Sequence, residues 1–224
     1  SSVSLKNHRA DIVDFKGQIL AKTLLRSVIG INPNLIINEK KLLLNLKIIL
    51  PDLNLNIIKQ KIKKKKFFWL SKKLDQEKIN KLRLLGDKSI IFEKEVSRIY
   101  PQKKLFSHVI GQIDDSNTGI SGLEKSLNDK LKKSKKKVRL TLDSEIQFLV
   151  RKELLRAEKF FKNKGSAAIL MNVNNGKILS LVSLPDYDLN KRENIKDQRF
   201  INRATKAVYE LGSTFKTFTL AAGF

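Results

Sequence analysis

The stretch Ala167-Ala168-Ile169-Leu170-Met171-Asn172-Val173-Asn174-Asn175-Gly176-Lys177-Ile178-Leu179-Ser180-Leu181-Val182-Ser183-Leu184 decides how the second half of this chain is read. Two apolar runs flank an Asn-Asn-Gly step. Asn and Gly tolerate the backbone conformations of a tight reversal, so residues 167–173 and 178–184 read as the strands of a hairpin, with 174–176 as its turn. Upstream, Ile146, Leu149, Val150, Leu154, Ala157, Phe160 and Phe161 recur at helical spacing. Asp143 or Ser144 is placed to cap that helix, Glu145 sits in its first turn, and Gly165 ends the pattern. Downstream, Tyr209-Glu210-Leu211-Gly212-Ser213-Thr214-Phe215-Lys216-Thr217-Phe218-Thr219-Leu220 reads as the entry to a further helix. Residues 140–224 therefore predict helix, hairpin, loop, helix: an antiparallel sheet packed by helices.

That last helix carries the chain's candidate chemistry. Ser213 and Lys216 are three residues apart, one turn away on the same helical face. A serine hydroxyl needs an adjacent base to act as a nucleophile. A lysine becomes that base when burial disfavours its charged form. Gly212 permits a tight entry, the helix N-terminus favours a developing negative charge, and Phe215, Phe218 and Leu220 offer apolar packing for the lysine stem. The competing reading is an N-cap serine on an ordinary amphipathic helix with an exposed lysine. The pattern alone is weak, because Ser134 and Lys137 repeat it inside a solvated basic run.

The 224 residues suffice for one large domain or two modest ones. With no cysteine, disulfides, thiolate catalysis and cysteine-ligated metals are excluded. The two histidines, His8 and His108, are far apart and read as surface or structural side chains, so neither a metal nor a cofactor is expected. The 46 Lys and Arg against 22 Asp and Glu give a net charge of +24, a field that attracts polyanions. Lys, Asn, Ile and Leu recur throughout, so compositional bias is the simpler account. Residues 61–66 are rich in lysine and run into Phe67-Phe68-Trp69, but no RNA-binding or helix-turn-helix signature accompanies them, and no specific nucleic-acid partner is expected. No run of 18 apolar residues is present. The start at Ser1-Ser2-Val3 and the stop at Phe224 read as those of a fragment.

The first half alternates short apolar stretches with turn residues. Residues 11–14 and 18–21 predict two short strands around Gly17, and residues 28–31 a further strand ending before Pro33. Helices are predicted over 42–50 and over 70–85, the latter stopped by Gly86, and residues 90–99 read as extended. A short helix starts within 119–126, and residues 132–139 read as a basic linker.

In this order the chain resembles the class B penicillin-binding proteins, the monofunctional D,D-transpeptidases of the bacterial cell wall. Asp11-Ile12-Val13-Asp14-Phe15-Lys16-Gly17-Gln18-Ile19-Leu20-Ala21 is similar to the family's pedestal signature R-G-x-I-x-D-R-x-G-x-x-L-A, with Arg9-Ala10 and Phe15 departing from it by alanine for glycine and phenylalanine for arginine. Arg98-Ile99-Tyr100-Pro101 and Ser107-His108-Val109-Ile110-Gly111 resemble R-x-Y-P and A-x-H-x-x-G, and Gly122-Leu123-Glu124-Lys125 resembles G-x-E-x. Leu140-Thr141-Leu142-Asp143 with Gln147 resembles L-T-I-D-x-x-x-Q, and residues 175–188 resemble the family hairpin. Asn202-Arg203-Ala204 and residues 209–216 look like the approach to the active-site helix. Ser183-Leu184-Pro185 and Tyr209-Glu210-Leu211-Gly212 look more like the division-specific, FtsI-type branch than the elongation-specific one.

The resemblance implies an α+β chain. An N-terminal pedestal (dimerisation-type) domain of short strands and helices over residues 1–131 is joined by a linker, 132–139, to the truncated start of a transpeptidase α/β sandwich, 140–224. It implies septal peptidoglycan crosslinking, with Ser213 as acyl-serine nucleophile and backbone oxyanion donor and Lys216 as general base. The implied ligands are the D-Ala-D-Ala stem peptide and β-lactams. An FtsW-type glycosyltransferase and other division proteins are implied as partners, and the periplasmic side of the inner membrane as location, through an N-terminal anchor outside this chain. The family's later motifs, Ser-x-Asn and Lys-[Thr/Ser]-Gly, are not found downstream of Ser213; Ser126-Leu127-Asn128 matches the first by letters alone. The chain as written is therefore expected to be inactive on its own. The alternatives are a non-catalytic interaction module of the division machinery, a class D β-lactamase-like penicillin-recognising protein, and a polyanion-binding basic protein.

Overall fold

The computed structural model describes residues 9–71, 74–191 and 197–224; His8 lies outside them. The architecture is α+β, and the described residues divide into two compact units, one within 24–97 and the other comprising 9–23 and those from 98 onward. Strands β1 (Ile12–Val13) and β2 (Ile19–Ile31) open the described chain. Helices α1 (Glu39–Ile49) and α2 (Leu55–Lys63), strand β3 (Phe68–Ser71), helix α3 (Gln76–Leu84) and strand β4 (Ile90–Ile99) follow.

In the first unit the three helices are capped by Asn38, Asn54 and Asp75, whose side chains accept from backbone N–H groups of the first turn. Each helix turns a leucine or isoleucine pair inward: Leu42 and Leu46, Ile58 and Ile62, Ile79 and Leu82. These close over Ile29, Ile31 and Ile90 in one apolar core. Strand β3 pairs antiparallel with the end of β2, and β4 also pairs with β2. Three expectations change here. Strand β2 runs unbroken through residues 22–27, which contain no Gly, Pro, Asn or Asp to turn the chain. The predicted helix over 70–85 shortens to α3, because Asp75 caps it and Leu70 belongs to β3. Helix α2 escaped the sequence reading, because its lysines mask an apolar stripe of only two buried residues.

In the second unit β1 pairs antiparallel with the start of β2 and parallel with β5 (Val138–Arg139). Short helices α4 (Ser107–Ile110), α5 (Gly122–Ser126) and α6 (Asn128–Lys133) lie between β4 and β5. Residues 132–139, expected as a linker, hold the end of α6 and β5. Helix α7 (Ser144–Phe161) and the antiparallel hairpin β6 (Ser166–Met171) and β7 (Ile178–Leu184) come next, and α8 (Lys216–Ala222) is last. The hairpin reverses through a longer loop than expected, closed by Gly176 N donating to the Asn172 carbonyl at 2.8 Å.

An ion cluster is buried in this unit. The Arg9 guanidinium donates through Nε to Glu124 Oε2 and through Nη2 to the Glu124 carbonyl. Its Nη1 reaches Asn128 Oδ1 at 2.9 Å and the Asn117 carbonyl at 3.3 Å. Arg98 Nε donates to the other Glu124 oxygen at 2.8 Å, and its Nη1 to Thr23 Oγ1 at 3.0 Å and the Arg9 carbonyl at 3.2 Å. Arg9 and Glu124 are fully buried. Desolvating such charges is costly, and only close pairing with added hydrogen bonds offsets it. Two glycines let α4 and α5 meet closely. Gly122 has φ +54°, and Gly111 has φ +75° with a would-be Cβ 2.1 Å from the Ser121 carbonyl oxygen, so α4 ends directly against the start of α5.

Removing the acid strands two guanidiniums in the core. Glu124→Ala should lower unfolding free energy by about 3–5 kcal/mol in urea titrations. A loss under about 1 kcal/mol would mean that the arginines find water or another anion.

Candidate active site

The scaffold leading to Ser213 begins with Asp14. Its Oδ1 accepts from the Lys16 and Gln18 amides at 2.9 and 2.8 Å, and its Oδ2 from the Ser144 hydroxyl at 2.7 Å. Burial pushes its carboxyl up, but the bonds from Ser144, Gln18 and Lys16 outweigh this and hold it below the usual carboxylate range. Asp143 caps α7 by accepting from the Glu145 and Ile146 amides, and its own N–H donates to the Leu179 carbonyl at 2.9 Å.

One turn into α7, Gln147 clamps the helix to the hairpin. Its Nε2 donates to the Leu105 and Leu181 carbonyls at 2.9 and 2.8 Å, and its Oε1 accepts from Ser180 Oγ and Leu181 N at 2.8 and 2.9 Å. The amide's full hydrogen-bonding capacity is met in a side chain 1% exposed. Arg151 pairs with Asp186 at 2.6 Å, just past the hairpin.

His108 is structural. A carbonyl only accepts, so His108 Nε2 carries the proton and donates to the Arg199 carbonyl at 2.7 Å, leaving Nδ1 to accept from Ser107 Oγ at 3.3 Å. Burial holds the imidazole below its ordinary range, against smaller upward pulls from the Arg199 carbonyl and Asp186. From there Ser183 Oγ receives the Arg203 N–H at 2.9 Å, and the Arg203 guanidinium lies over Gly165, where a Cβ would come within 2.3 Å of Nε. Asn202 turns the chain, its carbonyl accepting from the Thr205 and Lys206 amides.

Beyond this anchor lies the candidate pair. Ser213 occupies a 3-10 turn, Gly212–Phe215, entered through Gly212 at φ +52°, and Lys216 is the first residue of α8. Thr217 Oγ1 donates to the Thr214 carbonyl at 2.8 Å. The expected helix is present, but the expected burial of the lysine stem is not: residues 209–224 are exposed, and the Phe215 and Phe218 rings lie 5.6 Å apart between centres. Exposed apolar surface continues over Phe148, Leu149, Phe160 and Phe161 of α7 and over Ile169, Leu170 and Met171 of β6. Among the described residues no group of three or more His, Asp or Glu side chains is placed to hold a metal, and no helix is long and apolar enough to cross a membrane.

The sequence reading quoted Gln147, Ser183, Asn202 and Arg203 only as letters of a resemblance; the structure gives each a task. The available signal was their type: small polar residues at the ends of apolar runs, able to satisfy backbone groups.

Comparison with known proteins agrees with this arrangement. The penicillin-binding protein dimerisation domain matches residues 4–158, and the penicillin-binding protein transpeptidase domain matches residues 166–224. The chain belongs to the penicillin-binding protein family. It is 31% identical over 219 residues to a probable peptidoglycan D,D-transpeptidase FtsI of Caulobacter vibrioides, covering 96% of this chain and 37% of that protein. It is also 31% identical to a probable peptidoglycan D,D-transpeptidase PenA of Neisseria meningitidis, covering 77% and 35%, and 29% identical to stage V sporulation protein D of Bacillus subtilis, covering 96% and 38%. The chain thus spans little more than a third of the length of these relatives. A peptidoglycan synthetase from Bifidobacterium adolescentis has the same fold, with TM-score 0.61 at 21% identity, over 96% of this chain and 49% of that one.

Two outcomes follow for the scaffold. Gln147→Leu leaves two carbonyls, an amide and a hydroxyl without their partner, and should cost about 2–4 kcal/mol in chemical denaturation. A change below about 0.5 kcal/mol would mean that water replaces the amide. For His108 the folded-state pKa is lowered, so the unfolded chain takes up the proton first. Stability should be full above about pH 6.5 and fall as pH drops below it. His108→Gln should flatten that slope in urea midpoints measured from pH 8 to pH 5; an unchanged slope would exclude this histidine as its source.

Proposed function

We propose that the protein is a serine-type D,D-transpeptidase acting in septal peptidoglycan synthesis. Ser213 attacks the carbonyl of the penultimate D-alanine of a stem peptide, and its proton passes to Lys216. The terminal D-alanine leaves, and an amine of a neighbouring strand then takes the acyl group and releases the serine. The Ser213 backbone N–H is one oxyanion donor, a contribution worth about 10²–10³ in rate for such groups. β-Lactams acylate the same hydroxyl.

The observation that carries the reading is the Ser213–Lys216 pair, set beyond Gly212 inside the segment that the transpeptidase family matches. The relatives named FtsI support the division branch. In this reading residues 1–131 form the pedestal, 132–139 the join and 140–224 the start of the catalytic domain. An FtsW-type glycosyltransferase and other division proteins are the partners, and the protein acts on the periplasmic side of the inner membrane, held there by an N-terminal anchor.

A second reading rests on exposure. Lys216 stands in water, whereas a lysine base has to be desolvated to accept a proton near neutral pH. In this reading the 224-residue chain taken alone serves as a pedestal and scaffold, the non-catalytic alternative.

Fluorescent penicillin tests both readings. The 224-residue chain should not be labelled. The same chain continued into a complete transpeptidase domain should be labelled covalently, fully lost in Ser213→Ala and slowed about 10²–10⁴-fold in Lys216→Ala. Labelling that survives Ser213→Ala would remove this serine as nucleophile, and labelling of the short chain would show that its site is already complete.

A further inference from the structure

The first unit carries a basic and aromatic surface with no part in the chemistry above. Lys59, Lys61, Lys63, Lys64, Lys65 and Lys66 are all exposed on α2 and the turn that follows it. The sequence holds no carboxylate between Asp52 and Asp75. Among the described residues no ion pair involves any of the six lysines. Their charge is therefore not balanced by a carboxylate within this stretch.

The turn then presents aromatics. Lys65 adopts φ +49° and its N–H donates to the Ile62 carbonyl at 2.9 Å, reversing the chain from α2 into β3. Side chains alternate along a strand. Phe68 and Leu70 pack against the core, so Phe67 and Trp69 point outward, 44% and 36% exposed. Their rings meet edge to face with centroids 4.9 Å apart. The Phe67 ring lies over Gly30, where a Cβ would come within 2.2 Å of it. The glycine seats the ring, so the pair is held outward in one place. Among the described residues β2 is the one strand that β3 pairs with.

We propose that this surface docks on an anionic lipid bilayer, with Phe67 and Trp69 at headgroup depth and the lysines on lipid phosphates. Aromatic rings with one wet edge favour the membrane–water interface. Each lysine near an anionic surface adds attraction that salt screens. Single-stranded nucleic acid also takes lysines with exposed rings. Successive bases, however, need open ring faces, and here the two rings close on each other and one lies on backbone.

The chain's single tryptophan is Trp69, so its emission reports this surface alone. The full chain is titrated with vesicles of phosphatidylcholine alone and with vesicles containing phosphatidylglycerol. The expected result is a blue shift and quenching by brominated acyl chains with the anionic vesicles only, reversed by 0.5 M salt. Lys63→Glu/Lys64→Glu/Lys66→Glu should weaken partitioning by about 100-fold or more. The matched triple Lys135→Glu/Lys136→Glu/Lys137→Glu, of equal net charge, should weaken it less than about tenfold; circular dichroism checks that both variants are folded. Three results would overturn the proposal. They are binding without any change at Trp69, equal losses in the two triples, or tighter saturable binding of a single-stranded oligonucleotide that alters Trp69 emission.

Discussion

Glu124 sits between Arg9 and Arg98, out of water, with one carboxylate oxygen for each guanidinium. A charge group of this kind is stable only when complete, because each member left alone would be a desolvated ion. Completion requires the chain before β1, the end of β4 and the start of α5 to arrive at one point. Asn128, Asn117 and Thr23 supply further partners, although Arg98 Nη2 has none among the described residues, so the cluster also fixes α6, a loop and the early part of β2. Once Arg9 is held, Ala10 and Ile12 are committed to the core and β1 is positioned to receive β2 on one side and β5 on the other.

From β1 the order passes through single polar contacts. Asp14 grips the first residue of α7, Gln147 ties that helix to β7, and Ser183 of β7 holds the backbone of Arg203. Each is a side chain satisfying groups that burial would otherwise leave unpaired. Past residue 206 the pins thin out and the Ser213 segment is exposed. The contrast matters for chemistry. A serine–lysine pair depends on enclosure for its basicity and on fixed donors for its oxyanion.

Much of the local structure was legible. The return strand at residues 178–184, the Asp143 cap of α7 and the extended run 90–99 all follow from short-range rules of alternation and capping. The family was legible too, from the order of several short segments. Less visible were α2, whose two buried isoleucines sit among lysines, and β2, whose middle residues carry no strong strand signal. The bounds of α3 were misjudged because leucines continue through β3 into the helix, and only Asp75 marks the change.

The sequence by itself determined the family, the candidate nucleophile and base, and those elements that short-range signals mark, such as α7 and β7. Those properties are carried by residues a few positions apart, where backbone hydrogen bonding and side-chain spacing act directly. Tertiary structure alone decided that Glu124 serves two arginines, that Gln147 closes on β7 and that Trp69 faces out. Arg9 and Glu124 are 115 residues apart, and Asp14 and Ser144 are 130 apart. No local rule couples such distant groups. What couples them is the cost of burying a charge or a polar group without its partner, and that cost exists only once the chain has closed around it.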